Sequence, residues 1–501
     1  MSRTSQAHTT RPGPGASSAF GWSLANTVVS RLATLGIGIV LARVLGPESF
    51  GTFAVALIAL MAVLSFNELG VSLAIVRWPD DPRRIVPTVN TISVLGSAVF
   101  CTGAFMAAPV FTAAMGDPEA TDVVRVLIVS VLVNGVVASP AALLQRAFRE
   151  KPRMVIDQIN VWLGSVLSIV LALAGMGAMS LAIGRVAGSI VAAILFLVVS
   201  PIPYRFGLDR SVVGPLLRFG VPLAGTSIVV FIVGYADQLI VGSVLGAMFL
   251  GYYVLAFNLS SWPVSIVSQP LRRVAPAAFS SLQHREEDNQ KAFVSLAGIV
   301  AAAILPLIAF IAGSAVPLVT FVYGEVWVPA ASALSWLVVG AACRVFCELA
   351  YDYLVVKGLS GTVFSVQAGS LVVLIPALIA GAMTFGLGGL AAAQAATSLL
   401  VILPLYLWRL SRSGIAVRRL AKAVRLPIAS AALVGLTAWG LASWLHHPFW
   451  TLAFGGLIAG FVSLALLYRR RADLALLKGI GPAAVANESS RAVRPDEEKV
   501  Q

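Results

Sequence analysis

The sequence predicts an all-α, polytopic membrane protein of about fourteen transmembrane helices, and three observations lead there. Of 501 residues, 58% are hydrophobic and only 11% are charged, against about 25% charged in an ordinary soluble domain. A helical span needs about 20 apolar residues to cross about 30 Å of hydrocarbon, so about fourteen spans consume the apolar stock and leave no room for a soluble domain. The apolar residues also fall into runs of that length, separated by short polar breaks.

Residues 1–19 are rich in Ser, Thr, Gly and Pro and read as a disordered cytoplasmic tail. The apolar run beyond Phe20 lacks a small-residue cleavage site and reads as an uncleaved first helix. Spans follow near 20–41, 51–73, 86–110, 123–144, 155–175 and 178–199. A second set lies near 219–242, 248–268, 292–313, 330–354, 363–384, 387–408, 427–446 and 449–468. The breaks carry turn residues, as in Asp80-Asp81-Pro82, Gly116-Asp117-Pro118 and His446-His447-Pro448. With both termini in the cytoplasm, 30 of the 35 Lys and Arg residues fall on inner segments. The outer breaks hold only Arg43 and Arg125, the asymmetry that the positive-inside rule demands. No break is long enough for a folded domain, so function is expected between the helices.

At an offset of 200 residues, Val44-Leu45-Gly46 and Gly51 match Val244-Leu245-Gly246 and Gly251, with Phe53 on Tyr253 and Ala56 on Ala256. A weaker echo joins 144–151 to 354–360, each after the fourth span of its set. The chain therefore divides into pseudo-symmetric six-helix bundles at 20–205 and 206–410, two additional helices at 411–470, and a disordered cytoplasmic tail at 471–501. Two such halves rocking about a central site are the usual architecture of alternating-access transporters.

The run from Asp237 through Gly246 to Leu250-Gly251-Tyr252-Tyr253-Val254-Leu255-Ala256-Phe257-Asn258-Leu259 resembles the seventh-to-eighth helix signature of the polysaccharide transporters. These lipid-linked oligosaccharide flippases and lipopolysaccharide or colanic-acid exporters belong to the multidrug, oligosaccharidyl-lipid and polysaccharide exporter superfamily. The segment Leu41 to Gly51 is similar to that family's first outer loop, and Gln269 to Ser280 to its inner loop after the eighth helix. The resemblance covers about residues 20–410. It implies export of an undecaprenyl-diphosphate-linked glycan from the inner to the outer leaflet of the bacterial cytoplasmic membrane, without a cofactor. Possible partners are H+ or Na+, and a glycan polymerase or glycosyltransferases of the same pathway.

Ionisable groups inside spans are costly and mark functional candidates. Arg31 sits mid-way along the first span on a polar face with Asn26, Thr27, Ser30 and Thr34. It suits bidentate binding of a diphosphate or, alternatively, a buried ion pair. In the tenth span Arg344, Glu348 and Asp352 recur at i, i+4 and i+8, with Tyr351 beside them. The stripe either neutralises itself or leaves a carboxylate to take up a proton or cation. Asp237, near the outer end of the seventh span and matching an acidic position of the family signature, is a gating candidate through pairing with Arg43 or Arg31. It also fits a solvated helix end. Arg185 in the sixth span either faces the cavity or snorkels outward, and Asn258 in the eighth suits substrate contact or a packing hydrogen bond.

Other chemistries find no footing. Cys101, Cys343 and Cys347 lie in apolar stretches and read as packing residues, not as a disulfide framework or a metal cluster. No G-x-x-x-x-G-K-[ST] loop occurs, no histidine lies inside a span, and no large outer catalytic loop exists, so an enzyme is not expected. The net charge of +13 belongs to inner loops that anchor on anionic lipid, and not to a nucleic-acid surface. Two rival readings are a cation-coupled multidrug exporter and a peptidoglycan lipid-precursor flippase of the same superfamily. Three in-span arginines argue against a cavity built for organic cations.

Overall fold

The computed structural model describes residues 15–67, 71–79, 81–281, 286–445 and 447–473. Side chains are placed within 36–66, 72–79, 81–218, 220–265, 275, 279–280, 286–359, 361–362, 365–445 and 447–473. Helices account for nearly all of it, and no strand occurs among the described residues. This follows from the solvent: in hydrocarbon a backbone donor has no water to turn to, and a helix satisfies every such group within its own segment.

The first half contains α1 (Gly15–Asn67), α2 (Val71–Arg77), α3 (Val86–Ala114), α4 (Ala120–Arg146), α5 (Glu150–Leu173) and α6 (Ala178–Val199). The second contains α7 (Arg210–Leu245), α8 (Ala247–Ser281), α9 (Glu286–Gly313), α10 (Ala315–Tyr323), α11 (Ala330–Val356), α12 (Ser360–Thr397) and α13 (Leu403–Arg412). Last come α14 (Val417–Trp444) and α15 (Pro448–Arg469).

Eleven of the described helical runs are long and apolar enough to cross a bilayer. Two of them are pairs of helices meeting at a kink. In α1 the kink is Gly46 (φ 72°), between the predicted spans 20–41 and 51–73. In α12 it is Gly386 (φ 61°), between the predicted spans 363–384 and 387–408. Both glycines adopt the left-handed conformation that a Cβ disfavours. Gly246 (φ 91°) ends α7 in the same way, so the two glycines paired by the 200-residue repeat do the same job.

Of the predicted span 51–73, the described residues are helical, in α1 up to Asn67 and in α2 from Val71. The outer break before residue 330 holds an unpredicted short helix, α10, whose buried Ala315, Val319 and Tyr323 dock it on the core.

The largest core cluster draws on both halves. It joins Ala42, Val55 and Ile58 of α1 to Tyr252, Tyr253 and Leu255 of α8, Val319 of α10, Trp327, and Leu334 of α11. Inside the first half, α1, α3, α4 and α6 pack around Leu60, Leu127 and Ile128. A separate aromatic core of Phe279, Phe293 and Tyr353 lies in the second half. α14 and α15 pack on α9. Arg470 secures this appendix by donating to the Ala423 carbonyl and, at 3.2 Å, to Asp473, with its guanidinium against Gly298.

The link between the halves, residues 200–209, is strapped to the start of α3. Asn90 donates to the Arg205 carbonyl at 2.8 Å. Thr91 Oγ1 lies 2.8 Å from the Gly207 carbonyl, and the Asp209 amide donates to Thr88 Oγ1 at 3.0 Å. Asp209 then caps α7 through the Ser211 amide, and Arg84 approaches its carboxylate at 3.5 Å. The Ser211 hydroxyl, then its amide and Arg84, hold the Asp209 carboxyl below the usual carboxylate range.

Because the folded-state value is the lower one, the cap contributes fully above the ordinary carboxylate pKa. Its contribution is lost as pH falls through the lowered value. Protection of the Ser211 amide from hydrogen exchange, corrected for intrinsic rate, is expected to hold above the ordinary carboxylate pKa of about 3.9 and to drop only as pH falls below it. In Asp209→Asn that pH dependence disappears.

Candidate functional site

Helices α7, α8, α11 and α12 meet around a pocket of about 320 Å³ inside the second half, lined by Asp237, Phe257, Cys343, Arg344, Gln394 and Ser398 among others. Asp237 is 7% exposed, and its carboxylate has built-in partners. Oδ1 accepts from the Gln238 amide at 2.8 Å, and Oδ2 lies 2.7 Å from the Tyr253 hydroxyl and 3.4 Å from Gln394 Nε2. The Tyr253 hydroxyl is also 2.6 Å from Gln394 Oε1. One hydroxyl proton thus faces two acceptors. The ring of Tyr253 is fully buried and stacks on Phe257 at 6.3 Å, which fixes the hydroxyl in place.

Arg344 lines the same pocket from α11, with its guanidinium 5.5 Å from the Phe257 ring centroid. On the far wall the helix widens into a π turn over Ser398–Ile402, between α12 and α13. π turns recur at functional sites, and in this one the Leu403 amide donates to the Ser398 carbonyl. The Ser398 carbonyl also accepts from the Cys343 thiol at 3.1 Å.

The opposite face of α8 lines a second pocket, of about 450 Å³, with α1. Asn258, Ser265, Trp262 and Leu259 contribute from α8, Gly38, Ala42 and Phe50 from α1, and Tyr323 from α10. It lies in the cleft between the halves, directly under the core cluster that joins them.

The structure separates the residues flagged from the sequence into several places. Asp237 and Arg344 share the first pocket, and Asn258 lines the second. Arg185 is exposed on α6. Glu348 and Tyr351 are half-buried further along α11, Tyr351 against the aromatic core of the second half, and Asp352 is buried. The side chains of Arg31 and Asn26 lie outside the described residues.

The expected pairing of Asp237 with Arg43 is not formed. Asp237 is enclosed by its own half, whereas Arg43 points from α1 to the end of α10. There its Nε donates to the Val322 carbonyl at 2.8 Å and its terminal nitrogen to the Phe321 carbonyl at 2.5 Å. A guanidinium capping the last carbonyls of a helix is a favourable use of positive charge.

Tyr253 and Gln394 are the functional residues that the sequence reading passed over. Their signal was present: Tyr253 lies in the repeat match, and Gln394 is the lone amide in the predicted span 387–408.

Removing the Tyr253 hydroxyl while keeping the ring, in Tyr253→Phe, leaves buried acceptors without their donor. The loss is expected to be about 1–3 kcal/mol, read as a lower unfolding midpoint in detergent; an unchanged midpoint would show that the hydroxyl is not bonded.

Comparison with known proteins places this geometry. Residues 40–332 match a family described as polysaccharide biosynthesis protein. The chain is 26% identical over 350 residues to the succinoglycan biosynthesis transport protein ExoT of Rhizobium meliloti (strain 1021), covering 69% of this chain and 70% of that one. It is 24% identical over 371 residues to the lipopolysaccharide biosynthesis protein WzxC of Escherichia coli (strain K12), covering 73% and 75%. Among solved structures, the lipid II flippase MurJ in an inward closed conformation superposes with a TM-score of 0.72 at 15% identity, covering 89% of this chain and 100% of that one. An inward-facing multidrug resistance MATE family transporter of the MOP superfamily gives 0.60 at 20% identity, covering 77% and 95%. These two likenesses are of fold.

Proposed function

The chain belongs to the polysaccharide biosynthesis protein family, and we propose that it is a flippase that carries a lipid-linked oligosaccharide, the precursor of a surface polysaccharide, across the bacterial cytoplasmic membrane. Its relatives are named for succinoglycan transport and lipopolysaccharide biosynthesis. The observation that carries the reading is the pair of exposed guanidiniums inside spans, Arg185 on α6 and Arg344 on α11, the second of which lines the pocket around Asp237. Charge placed at that depth costs several kcal/mol unless something uses it. The diphosphate of an undecaprenyl-diphosphate-linked glycan is such a user, since planar guanidiniums bind phosphate through paired hydrogen bonds. Sugar hydroxyls find partners in Asn258 and Ser265, and sugar faces find Trp262, in the cleft pocket.

Energetically, the membrane potential does much of the work. Two negative charges moving outward, with the drive of an inside-negative potential, gain about 4.6 kcal/mol per 100 mV. The protein has to supply a hydrated, locally positive route for a head group that cannot cross hydrocarbon unaided. Both termini are then cytoplasmic, the halves 20–205 and 206–410 rock about the cleft, and residues 411–470 ride on the second half. Glycosyltransferases of the same pathway supply the substrate on the inner leaflet, and a polymerase takes the product on the outer.

Asp237 is the coupling group in this reading. When protonated, Asp237 donates to the Tyr253 oxygen and Tyr253 donates to Gln394 Oε1, and every atom in the triad is satisfied. When ionised, Asp237 accepts from the Tyr253 hydroxyl, and Gln394 must turn its amide to present a donor. Proton uptake and release therefore reorient Gln394, four residues before the start of the π turn at Ser398.

Deleting the gene is expected to leave one lipid-linked glycan accumulating on the cytoplasmic leaflet, identified by mass spectrometry. Arg185→Ala and Arg344→Ala are each expected to slow export about tenfold or more, with partial recovery in the Lys variants. Wild-type export from both Ala variants would remove the arginines from the mechanism. Asp237→Asn is expected to flatten the dependence of export on external pH. If that dependence survives intact, Asp237 is not the coupling group.

A further inference from the structure

The outer ends of the two halves meet through the repeated segment itself. An ideal Cβ built on Gly51 would lie 2.1 Å from the carbonyl oxygen of Ala247. One built on Gly251 would lie 2.5 Å from the carbonyl oxygen of Pro47 and 2.9 Å from the nitrogen of Gly51. Pro47 and Ala247 correspond at the same 200-residue offset as Gly51 and Gly251, so the contact is reciprocal. Each copy's glycine rests on the first turn of the other copy's helix. The facing atoms are backbone, so no side-chain rotation can make room for a methyl group. Small residues permit this closeness of approach between helices in a membrane.

Two directional interactions brace the crossing. Arg43 donates to the Phe321 and Val322 carbonyls, and the Trp327 indole donates to the Ala42 carbonyl at 3.2 Å. Around Trp327 the rings of Phe50, Tyr252 and Tyr323 stand at 5.6, 5.8 and 6.2 Å. Phe50 comes from the first half and the others from the second, so this aromatic group is also divided by the plane between them.

We propose that the reciprocal contact of Gly51 with Gly251 is the outer gate, shut here, and that the halves part along it to open the cleft pocket to the outside. The contact is van der Waals in character and presents smooth backbone on both sides. The carbonyls that accept from Arg43 lie at the end of a short outer helix, where water can replace the guanidinium on opening. The pocket lined by Ala42, Phe50, Tyr323 and Asn258 lies immediately beneath. Gly46 and Gly246, each with positive φ, begin the two arms that separate. A side chain at either gate glycine therefore penalises the closed state and leaves an outward-open state untouched.

This inference rests on the alternating-access reading, but its test needs no substrate. In a Cys101→Ser, Cys343→Ser, Cys347→Ser background, Asn258→Cys serves as the reporter, labelled in intact cells by a membrane-impermeant maleimide. Gly51→Ala and Gly251→Ala are each expected to raise the external labelling rate at least about tenfold, a shift of about 1.4 kcal/mol between states. Gly103→Ala has nothing within 4 Å of the added carbon and is expected to leave labelling unchanged. Arg43→Ala, which removes an exposed side chain and its two bonds to α10, is expected to raise it as well.

Unchanged labelling in correctly folded Gly251→Ala and Arg43→Ala protein overturns the proposal. If the glycine variants fail to assemble, Arg43→Ala alone decides. Raised labelling in a protein whose deletion accumulates no lipid-linked glycan would sink the flippase reading and leave the gate standing.

Discussion

Hydrocarbon offers no water, and that single constraint organises the molecule. It forces the backbone into helices, and it also dictates how the remaining polar groups are handled. Arg43 ends on carbonyls, Arg470 ends on a carbonyl and a carboxylate, and Arg146 holds the Ile75 and Trp78 carbonyls beyond α2. Asp237, Tyr253 and Gln394 close on one another. In each case a polar atom is satisfied by a partner that the fold delivers from another helix. The exposed in-span guanidiniums of Arg185 and Arg344 differ, because they stand at the edge of open space.

The internal repeat divides duties unequally between its copies. Both contribute a left-handed glycine and a close-packed glycine at the outer face. Only the second half carries the Asp237, Tyr253 and Gln394 triad and the π turn, and only the first carries Arg185. Across the cleft, the first half therefore offers positive charge, while the second offers a protonatable group with a guanidinium of its own.

Much of the fold was legible from residues alone. Span positions follow from hydropathy, and the breaks at Gly46, Gly116, Gly246 and Gly386 all carry positive φ in the structure. The in-span charges Asp237, Arg185 and Arg344 stood out because so few ionisable residues interrupt the apolar runs. The partners were not legible. Backbone carbonyls have no sequence signature, so nothing announced that Arg43 caps α10 or that the Cys343 thiol reaches Ser398. A tyrosine and a glutamine do not lower hydropathy enough to be noticed. Their meeting around Asp237 depends on how α7, α8 and α12 cross, which is a tertiary fact. The same holds for α10: nine apolar residues are too few to span, and only their docking makes them a helix.

The strap from 200–209 onto α3 has a mechanical corollary. A tether sewn to one body along most of its length gives no slack to the other, so the effective tether begins at Asp209 rather than Ser200. Displacement of the second half then has to be absorbed inside α7, where Pro215 and Pro222 each remove a backbone donor within its first four turns. In the proposed rocking the lower part of α7 goes with the first half, because its Val212 and Leu216 pack with Ile75 and Val89. The helix that carries Asp237 at its far end is thereby a lever with its fulcrum built in.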